Sequence, residues 1–216
     1  MSLKKIFTIL SICFCAVVSY GVDKPAGLSI DKTKTALVVI DLQKGIAAGM
    51  TTAPYTTAAV IKNAAALADA FRKNGMPVFL VHVNTAPDGK DRLHPNADVQ
   101  WPMKDLPPDW SDIVPELGPK PGDLVITKRQ WGAFYGTELD LELRRRGITT
   151  IVLCGIATNI GVESTARFAA EYGYEQIFAE DAMSAMSAEE HTFTITKIFP
   201  RIGFVRKTSE ILAGLQ

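Results

Sequence analysis

The stretch TTIVLCGIATNIGVESTAR, residues 149–167, decides the fold that we expect for this chain. Residues 149–156 form a continuous apolar run, which is typical of a strand buried on both faces. Gly155 lets the chain turn, and a helix pattern follows from about residue 159 to residue 172. A buried strand that leads directly into a helix predicts one unit of a parallel sheet covered by helices.

The same alternation of strand and helix patterns continues along the rest of the chain. Further strands are predicted at residues 35–43, 77–84, 123–128, 175–182 and 202–207. Further helices are predicted at residues 56–74, 137–147, 187–198 and 209–215. This order predicts an α/β fold with a central, mainly parallel six-stranded sheet and helices on both faces. Ligands in such sheets bind beyond the carboxyl ends of the strands, where we therefore seek the site.

One long segment interrupts this alternation. Residues 85–122 contain eight of the twelve prolines and two of the three tryptophans. A segment of this length is typical of a lid, an interface or a disordered piece, and its aromatic residues argue against disorder alone. We expect a short helix near residues 109–115.

Composition and motifs exclude several classes of partner. The chain carries 23 basic and 23 acidic residues and has no basic run, so no nucleic-acid partner is expected. No glycine-rich nucleotide motif is present, and the three histidines lack the spacing of metal ligands. Acidic residues around His94 could hold a metal in principle, but a solvated loop is the preferred interpretation. No cofactor and no metal are predicted, and the expected partner is a small-molecule substrate.

The N-terminus has the pattern of a secretory signal. Lys4 and Lys5 precede an apolar stretch, residues 6–18, that ends near Ser19 and Gly21. We expect residues 1–21 to be a signal peptide and residues 22–216 to be one domain, exported to a bacterial periplasm. Loss of the two lysines would leave a net charge of −2 and no stable membrane span. A lipoprotein signal and an uncleaved anchor are the alternatives.

Two charged residues stand at predicted strand ends. Asp41 follows the apolar run LVVI, where desolvation raises a carboxyl pKa and suits the group for acid or base work. Lys128 ends the strand DLVITK, and a buried lysine needs a charge partner. A capping role for Asp41 and a solvent-exposed position for Lys128 are the alternatives. Because each residue could be the charge partner of the other, Asp41 and Lys128 together predict a catalytic site.

The opening stretch supplies backbone donors to that site. Asn159 can cap the helix, and the N–H groups of residues 157–161 can then bind a developing anion. Gly161 keeps its N–H and adds no side chain, whereas Cys154 lies in the strand and is interpreted as a packing residue. Four residues after Lys128 are candidates for the walls of the substrate pocket: Gln130, Trp131, Phe134 and Tyr135. For Phe134, packing in the core is the alternative.

The segments ALVVIDLQ, KRQWGAFYGTELDLELRRRGITTIVLCGIATNIGVESTAR and AEDAMSA together resemble the isochorismatase-like hydrolase superfamily. The resemblance covers about residues 33–214. It implies a Rossmann-like three-layer α/β/α sandwich, homo-oligomers, and a catalytic Asp–Lys–Cys triad in the amidase members. Asp41 and Lys128 match the first two, and Gly161 occupies the position of the nucleophilic cysteine. The resemblance also implies a cis peptide bond between Ile156 and Ala157.

Departures from the family pattern narrow the expected reaction. The missing thiol disfavours cysteine-type amidases, and the metal-binding histidines of nicotinamidases are missing too. Isochorismatases work without the cysteine, because an acid protonates a vinyl ether and water then adds; they tend to carry His where this chain has Asn159. We expect a hydrolase that uses Asp41 and Lys128 without a cysteine nucleophile. The alternative is a non-catalytic small-molecule-binding or assembly protein with a retained pocket.

Overall fold

A six-stranded parallel sheet forms the centre of the computed structural model, which describes residues 28–99 and 106–216. The strands are β1 (Thr35–Ile40), β2 (Val78–Val83), β3 (Leu124–Lys128), β4 (Thr150–Ile156), β5 (Glu175–Ser184) and β6 (Phe204–Arg206). Their order is β3-β2-β1-β4-β5-β6, and every neighbouring pair is parallel. The predicted α/β fold is confirmed, and the sheet is wholly rather than mainly parallel.

Helices cover both faces of the sheet. They are α1 (Lys44–Ala47), α2 (Thr57–Lys73), α3 (Leu139–Arg145), α4 (Glu163–Glu171), α5 (Ala188–Phe193) and α6 (Thr208–Gly214). Wide π-helical turns at Thr158–Val162 and Thr194–Ile198 precede α4 and follow α5. The predicted helices at 159–172 and 187–198 therefore exist, but each includes one such turn.

Strand β1 shows why two core layers form. Leu37 and Val39 pack with buried residues of α2 and α6, whereas Val38 and Ile40 pack with α3 and α4 on the other face. All six residues of β1 are buried, since alternate side chains point to opposite faces of a sheet that is covered twice. The result is a three-layer sandwich.

The proline-rich segment is partly bound to the core. Backbone bonds join Val114 to Leu42 and Gly45 to Trp110, and residues 110–117 bury several apolar side chains. The predicted helix at 109–115 is wrong, because these residues form turns whose backbone groups bond to the chain after β1. This part of the segment is a packed strap that holds the chain leaving β1.

The predicted signal, residues 1–21, lies outside the described residues. Among the helices that the structure describes, none is long and apolar enough to cross a bilayer.

Candidate active site

The site lies where the strand order reverses. The chain passes from β1 outward to β2 and β3, then crosses back to place β4 on the other side of β1. Ligands of such sheets bind in the crevice at this switch point, beyond the carboxyl ends of the strands. Asp41 follows β1 and Gly161 follows β4, so both lie at this crevice.

Asp41 has an unusual backbone conformation. Its φ is +53°, a left-handed value that Asp and Asn adopt more readily than most residues. Its N–H donates to the Val81 carbonyl at 2.9 Å. The conformation turns the chain at the end of β1 while the backbone stays bonded to β2.

Lys128 pairs with Asp41 inside the protein. Its Nζ donates to Asp41 Oδ2 at 2.7 Å and to the Trp131 carbonyl at 2.7 Å. The two side chains are 2% and 8% exposed, which places the ion pair out of bulk water. Asp41 Oδ1 is also buried, but no residue in the described part of the chain hydrogen-bonds to it. One carboxylate oxygen is therefore held by the lysine, and the other has no partner in residues 28–99 and 106–216.

Burial raises the pKa of Asp41 above its ordinary value of 3.8, while Lys128 and more weakly His82 oppose that rise. Burial has the largest effect on this pKa, because an ionised carboxylate loses its hydration in an apolar site and a neutral carboxylic acid loses much less. Asp41 therefore holds a proton to higher pH than an exposed aspartate does, which suits a general acid.

The turn after β4 brings Gly161 against this pair. The peptide bond between Ile156 and Ala157 is cis, as the resemblance implies. The Ile160 N–H donates to the Ala157 carbonyl at 3.1 Å, so that N–H is not available to an anion. This corrects the expectation that all N–H groups of residues 157–161 point into the site.

Gly161 leaves room that the ion pair needs. A Cβ at this position would lie 2.9 Å from Asp41 Oδ2, 3.0 Å from Ile40 Cγ2 and 3.4 Å from Lys128 Nζ. Position 161 thus faces both charged groups, which is where the family resemblance places the nucleophile. Here no side chain stands between them and the turn.

Asn159 does not cap the helix. The wide turn begins after Ala157 without a side-chain cap, and Asn159 Oδ1 is buried with no partner among the described residues. The expected capping role is wrong, because the π-helical turn already begins at Thr158, one residue before Asn159. A contact between Asn159 and the substrate stays a prediction.

Three of the four predicted wall residues line one groove. Gln130, Trp131 and Tyr135 border a depression of about 490 Å³, together with Ser164 and Phe168. Gln130 also ties its own loop, since Nε2 donates to the Gly132 carbonyl at 3.1 Å and to the Tyr135 carbonyl at 2.6 Å. Asp41, Lys128 and Gly161 are not among the residues that line the groove, and its link to the ion pair is Trp131, whose carbonyl accepts from Lys128.

Phe134 is not part of this groove. It is 4% exposed and packs edge-on against Tyr172 and parallel to Tyr174. The expectation that it lines the substrate pocket is corrected to core packing, because the turn at 130–136 points this ring into the layer of α3 and α4.

Two further side chains, one in β4 and one in β5, have structural roles. Cys154 is buried, and burial raises the pKa of its thiol to about 12, which suits a packing residue. Asp181 Oδ1 accepts from the Thr208 N–H at 2.7 Å and so caps α6. In residues 28–99 and 106–216, no group of three or more His, Cys, Asp or Glu side chains is placed to hold a metal.

Sequence reasoning missed one neighbour of the turn. His191 Nδ1 lies 2.9 Å from Thr158 Oγ1, and both side chains are buried. Their separation of 33 residues carries no local pattern, so only the packing of α5 against the turn brings them together.

Comparisons with known proteins identify the family of the chain. Residues 35–210 match the isochorismatase domain. An uncharacterised isochorismatase family protein of Bacillus subtilis (strain 168) is 57% identical over 190 residues, which cover 86% of this chain and 96% of that protein. A ureidoacrylate amidohydrolase of Methylobacterium radiotolerans is 31% identical over 220 residues, covering 89% and 83% respectively. The structure of an isochorismatase family protein from Burkholderia thailandensis superposes with a TM-score of 0.83 at 47% identity, covering 88% of this chain and 99% of that one. The chain therefore belongs to the isochorismatase family and is a hydrolase.

Proposed function

We propose that this hydrolase cleaves a vinyl ether, or a related C–O or C–N bond of a small molecule, by acid–base chemistry without a cysteine nucleophile. The observation that carries the proposal is the contact of Gly161 with the ion pair. A Cβ there would lie within 3.4 Å of both charged groups, yet the residue has no side chain. Asp41 and Lys128 therefore remain to do the chemistry.

The unpartnered oxygen of Asp41 is the proton donor. Oδ2 is held by Lys128 at 2.7 Å, and Oδ1 has no described partner. Because burial raises its pKa, Asp41 holds its proton to a higher pH than an exposed aspartate does. Transfer of that proton to the terminal alkene carbon gives an oxocarbenium ion, and the carboxylate that remains is stabilised by the lysine.

Water completes the reaction. It adds to the oxocarbenium carbon and loses a proton to Asp41, which restores the acid. The hemiketal then collapses to an alcohol and a methyl ketone. The sum is one vinyl ether plus one water giving these two products, with no covalent enzyme intermediate.

A cysteine-type amide hydrolysis lacks its nucleophile in this site. Cys154, within the residues that the structure describes, is buried in β4, and burial raises its thiol pKa to about 12. A substrate similar to ureidoacrylate, after which that amidohydrolase is named, would therefore have to be attacked by activated water. Asp41, once ionised, could serve as base for that attack.

Solvent deuterium distinguishes these routes. The full chain is incubated in D₂O with an enolpyruvyl ether and, separately, with small amides and carbamates, and the ketone is reduced at once to prevent exchange. Acid catalysis at carbon predicts one deuteron in the product methyl group and a rate that falls as the pH rises through the raised pKa of Asp41. Cleavage without label in the methyl group would refute the vinyl ether route.

Two aspartate variants give a matched comparison. Asp41→Asn keeps the shape and tolerates the left-handed φ of +53°, but it cannot donate the proton. Asp181→Asn changes a carboxylate that caps α6 and has no contact with the ion pair. We expect loss of at least about 100-fold in rate for the first, typical of a general acid, and near-wild-type activity for the second. Equal activity of Asp41→Asn and wild type would refute the assignment.

A non-catalytic binding protein is the second candidate, favoured by the burial of both charged side chains. Gly161→Cys is compared with Gly161→Ala, because both add a Cβ 2.9 Å from Asp41 Oδ2. A gain of amide hydrolysis in the cysteine variant alone would show that the pocket admits substrates, whereas tight ligand binding by the wild type without turnover of any substrate would favour the binder.

Export and self-association are also proposed. The signal pattern at residues 1–21 supports export, and fractionation with N-terminal sequencing tests it. A cytoplasmic protein that begins at Met1 would contradict export. The family resemblance supports a homo-oligomer, which sedimentation velocity would test.

A further inference from the structure

His191 connects the site turn to a separate group of polar residues. It lies in α5, is 2% exposed, and its Nδ1 is 2.9 Å from Thr158 Oγ1. Thr158 is fully buried and follows the cis peptide by one residue. Two buried polar side chains from distant parts of the chain are thus each other's partners at the start of the turn.

The other side of His191 faces a fixed carboxylate. Nε2 is buried and makes no hydrogen bond within the described chain, and Glu180 Oε1 lies 4.0 Å away. The Tyr55 hydroxyl donates to Glu180 Oε1 at 2.7 Å, and Lys207 pairs with the same carboxylate. The Tyr55 ring also meets the imidazole edge-on, with 5.7 Å between centroids. The imidazole is therefore enclosed on the side away from Thr158.

The far end of the turn has its own attachment. Thr165 Oγ1 donates to the Gly161 carbonyl at 2.7 Å and accepts from the Ala133 N–H at 3.1 Å. The turn that presents Gly161 to the ion pair is thus held at its start by His191 and at its end by Thr165. Removal of either contact would let Gly161 move relative to Asp41.

We propose that His191 is a positioning residue of the hydrolytic site, which acts by holding Thr158 and with it the turn that seals Asp41 from water. The inference rests on the proposed role of Asp41 as an acid. A turn held less firmly admits water to the carboxyl group, and hydration removes the cause that raises its pKa.

The charge state of His191 agrees with this role. Burial lowers its pKa below the ordinary value of 6.5, Glu180 opposes that change and Lys207 supports it. The imidazole is therefore neutral at pH 7, and its Nδ1 can either donate to the Thr158 hydroxyl or accept from it. The groups that face it, besides Thr158, are Glu180, Tyr55 and Lys207.

The test measures Asp41 directly and needs no substrate. The full chain is labelled with carboxyl-¹³C aspartate, the Asp41 signal is assigned by its absence in Asp41→Asn, and its shift is followed against pH. His191→Asn can place an amide atom where Nδ1 stands, whereas His191→Gln places it near Nε2 and abandons Thr158. Thr158→Val removes the partner hydroxyl at constant shape. Tyr174→Phe is the control, since it deletes a hydroxyl bond to Asp140 away from the turn.

We expect the Asp41 midpoint to move toward 3.8 by about one unit or more in His191→Gln and Thr158→Val, and by less in His191→Asn. The double variant His191→Gln/Thr158→Val should shift it no further than either single change. Tyr174→Phe should lower the melting temperature and leave the midpoint unchanged. If the His191 and Thr158 variants also lower only the melting temperature, the positioning role is refuted. A wild-type midpoint at or below 3.8 would instead refute the proposed acid, while differences between variants would still report on the turn.

Discussion

Replacement of Lys128 by Met tests the central ion pair. The change keeps most of the apolar stem and removes the ammonium that donates to Asp41 and to the Trp131 carbonyl, each at 2.7 Å. Because the lysine side chain is only 2% exposed, water cannot readily replace it. Asp41 is left as a buried carboxylate without its charge partner, which typically costs about 3–5 kcal/mol of stability.

The loss should depend on pH, with a sign set by the raised pKa of Asp41. Without Lys128 that pKa rises further, because the lysine is the main group that opposes the effect of burial. Between pH 3.8 and that raised native pKa, the folded protein binds more protons than the unfolded chain, so stability falls as the pH rises across this range. We expect a loss of about 3–5 kcal/mol at pH 8. The loss should be smaller at pH 5, where Asp41 is protonated in more of the molecules, and should approach about 1–2 kcal/mol, from the Trp131 carbonyl that has lost its donor.

Urea unfolding at pH 5 and pH 8 measures both values. The double variant Asp41→Asn/Lys128→Met carries no charge at the site and should regain part of the stability lost at pH 8. An equal loss at both pH values, or a double variant no more stable than Lys128→Met at pH 8, would refute the buried-pair reasoning.

Gly161→Ala should abolish activity and cost about 1–3 kcal/mol, because its Cβ would lie 2.9 Å from Asp41 Oδ2; turnover and urea unfolding measure the two effects. Arg72→Met should cost about 3–5 kcal/mol, since it strips a two-point ion pair from Asp123, whose side chain is 2% exposed; chemical denaturation at pH 7 measures this. His191 should make wild-type stability fall as the pH drops below 6.5, because the unfolded histidine takes up a proton that the buried one resists. In His191→Asn, the free energy of unfolding should decrease less between pH 7.5 and pH 5 than it does in the wild type, which unfolding curves at the two pH values measure.

The glycine and arginine predictions each have a comparison within the chain. Gly49→Ala should be nearly neutral, because its Cβ would meet only the Gly45 carbonyl at 3.4 Å. Arg167→Met breaks a pair in which the arginine side chain is 57% exposed and should cost less than about 1 kcal/mol. If the buried and exposed variants lost equal stability, burial would not be the cause of the effects.

Much of the fold could be predicted from local patterns. The strand β1 was recognisable because a sheet covered on both faces requires an unbroken apolar run, and its six residues are all buried. Helix α2 was recognisable from Val60, Ala64, Leu67 and Phe71, which recur at helical spacing and are all fully buried. The strap at 110–117 was not recognisable, because its backbone bonds go to the chain after β1 and leave no periodic pattern in the sequence.

The site shows the same division. Asp41 and Lys128 were identifiable because charged residues that end apolar strands in a parallel sheet meet at one edge. Phe134 was misassigned since an aromatic residue in a turn can face either a pocket or the core, and only the packing with Tyr174 decides between them. His191 could not be identified at all, because its partner Thr158 stands on another element.

The sequence by itself determined the order of strands and helices along the chain, the two charged residues at strand ends and the absence of a thiol at position 161. Those features are local, since each depends on the burial of a short segment or on the identity of one residue. Tertiary structure decided that Lys128 meets Asp41 across 87 residues, that one oxygen of Asp41 has no described partner, and that His191 contacts Thr158 at the start of the turn. These contacts depend on strand order and helix packing, which are set by the whole core and have no signature in any single stretch of the chain.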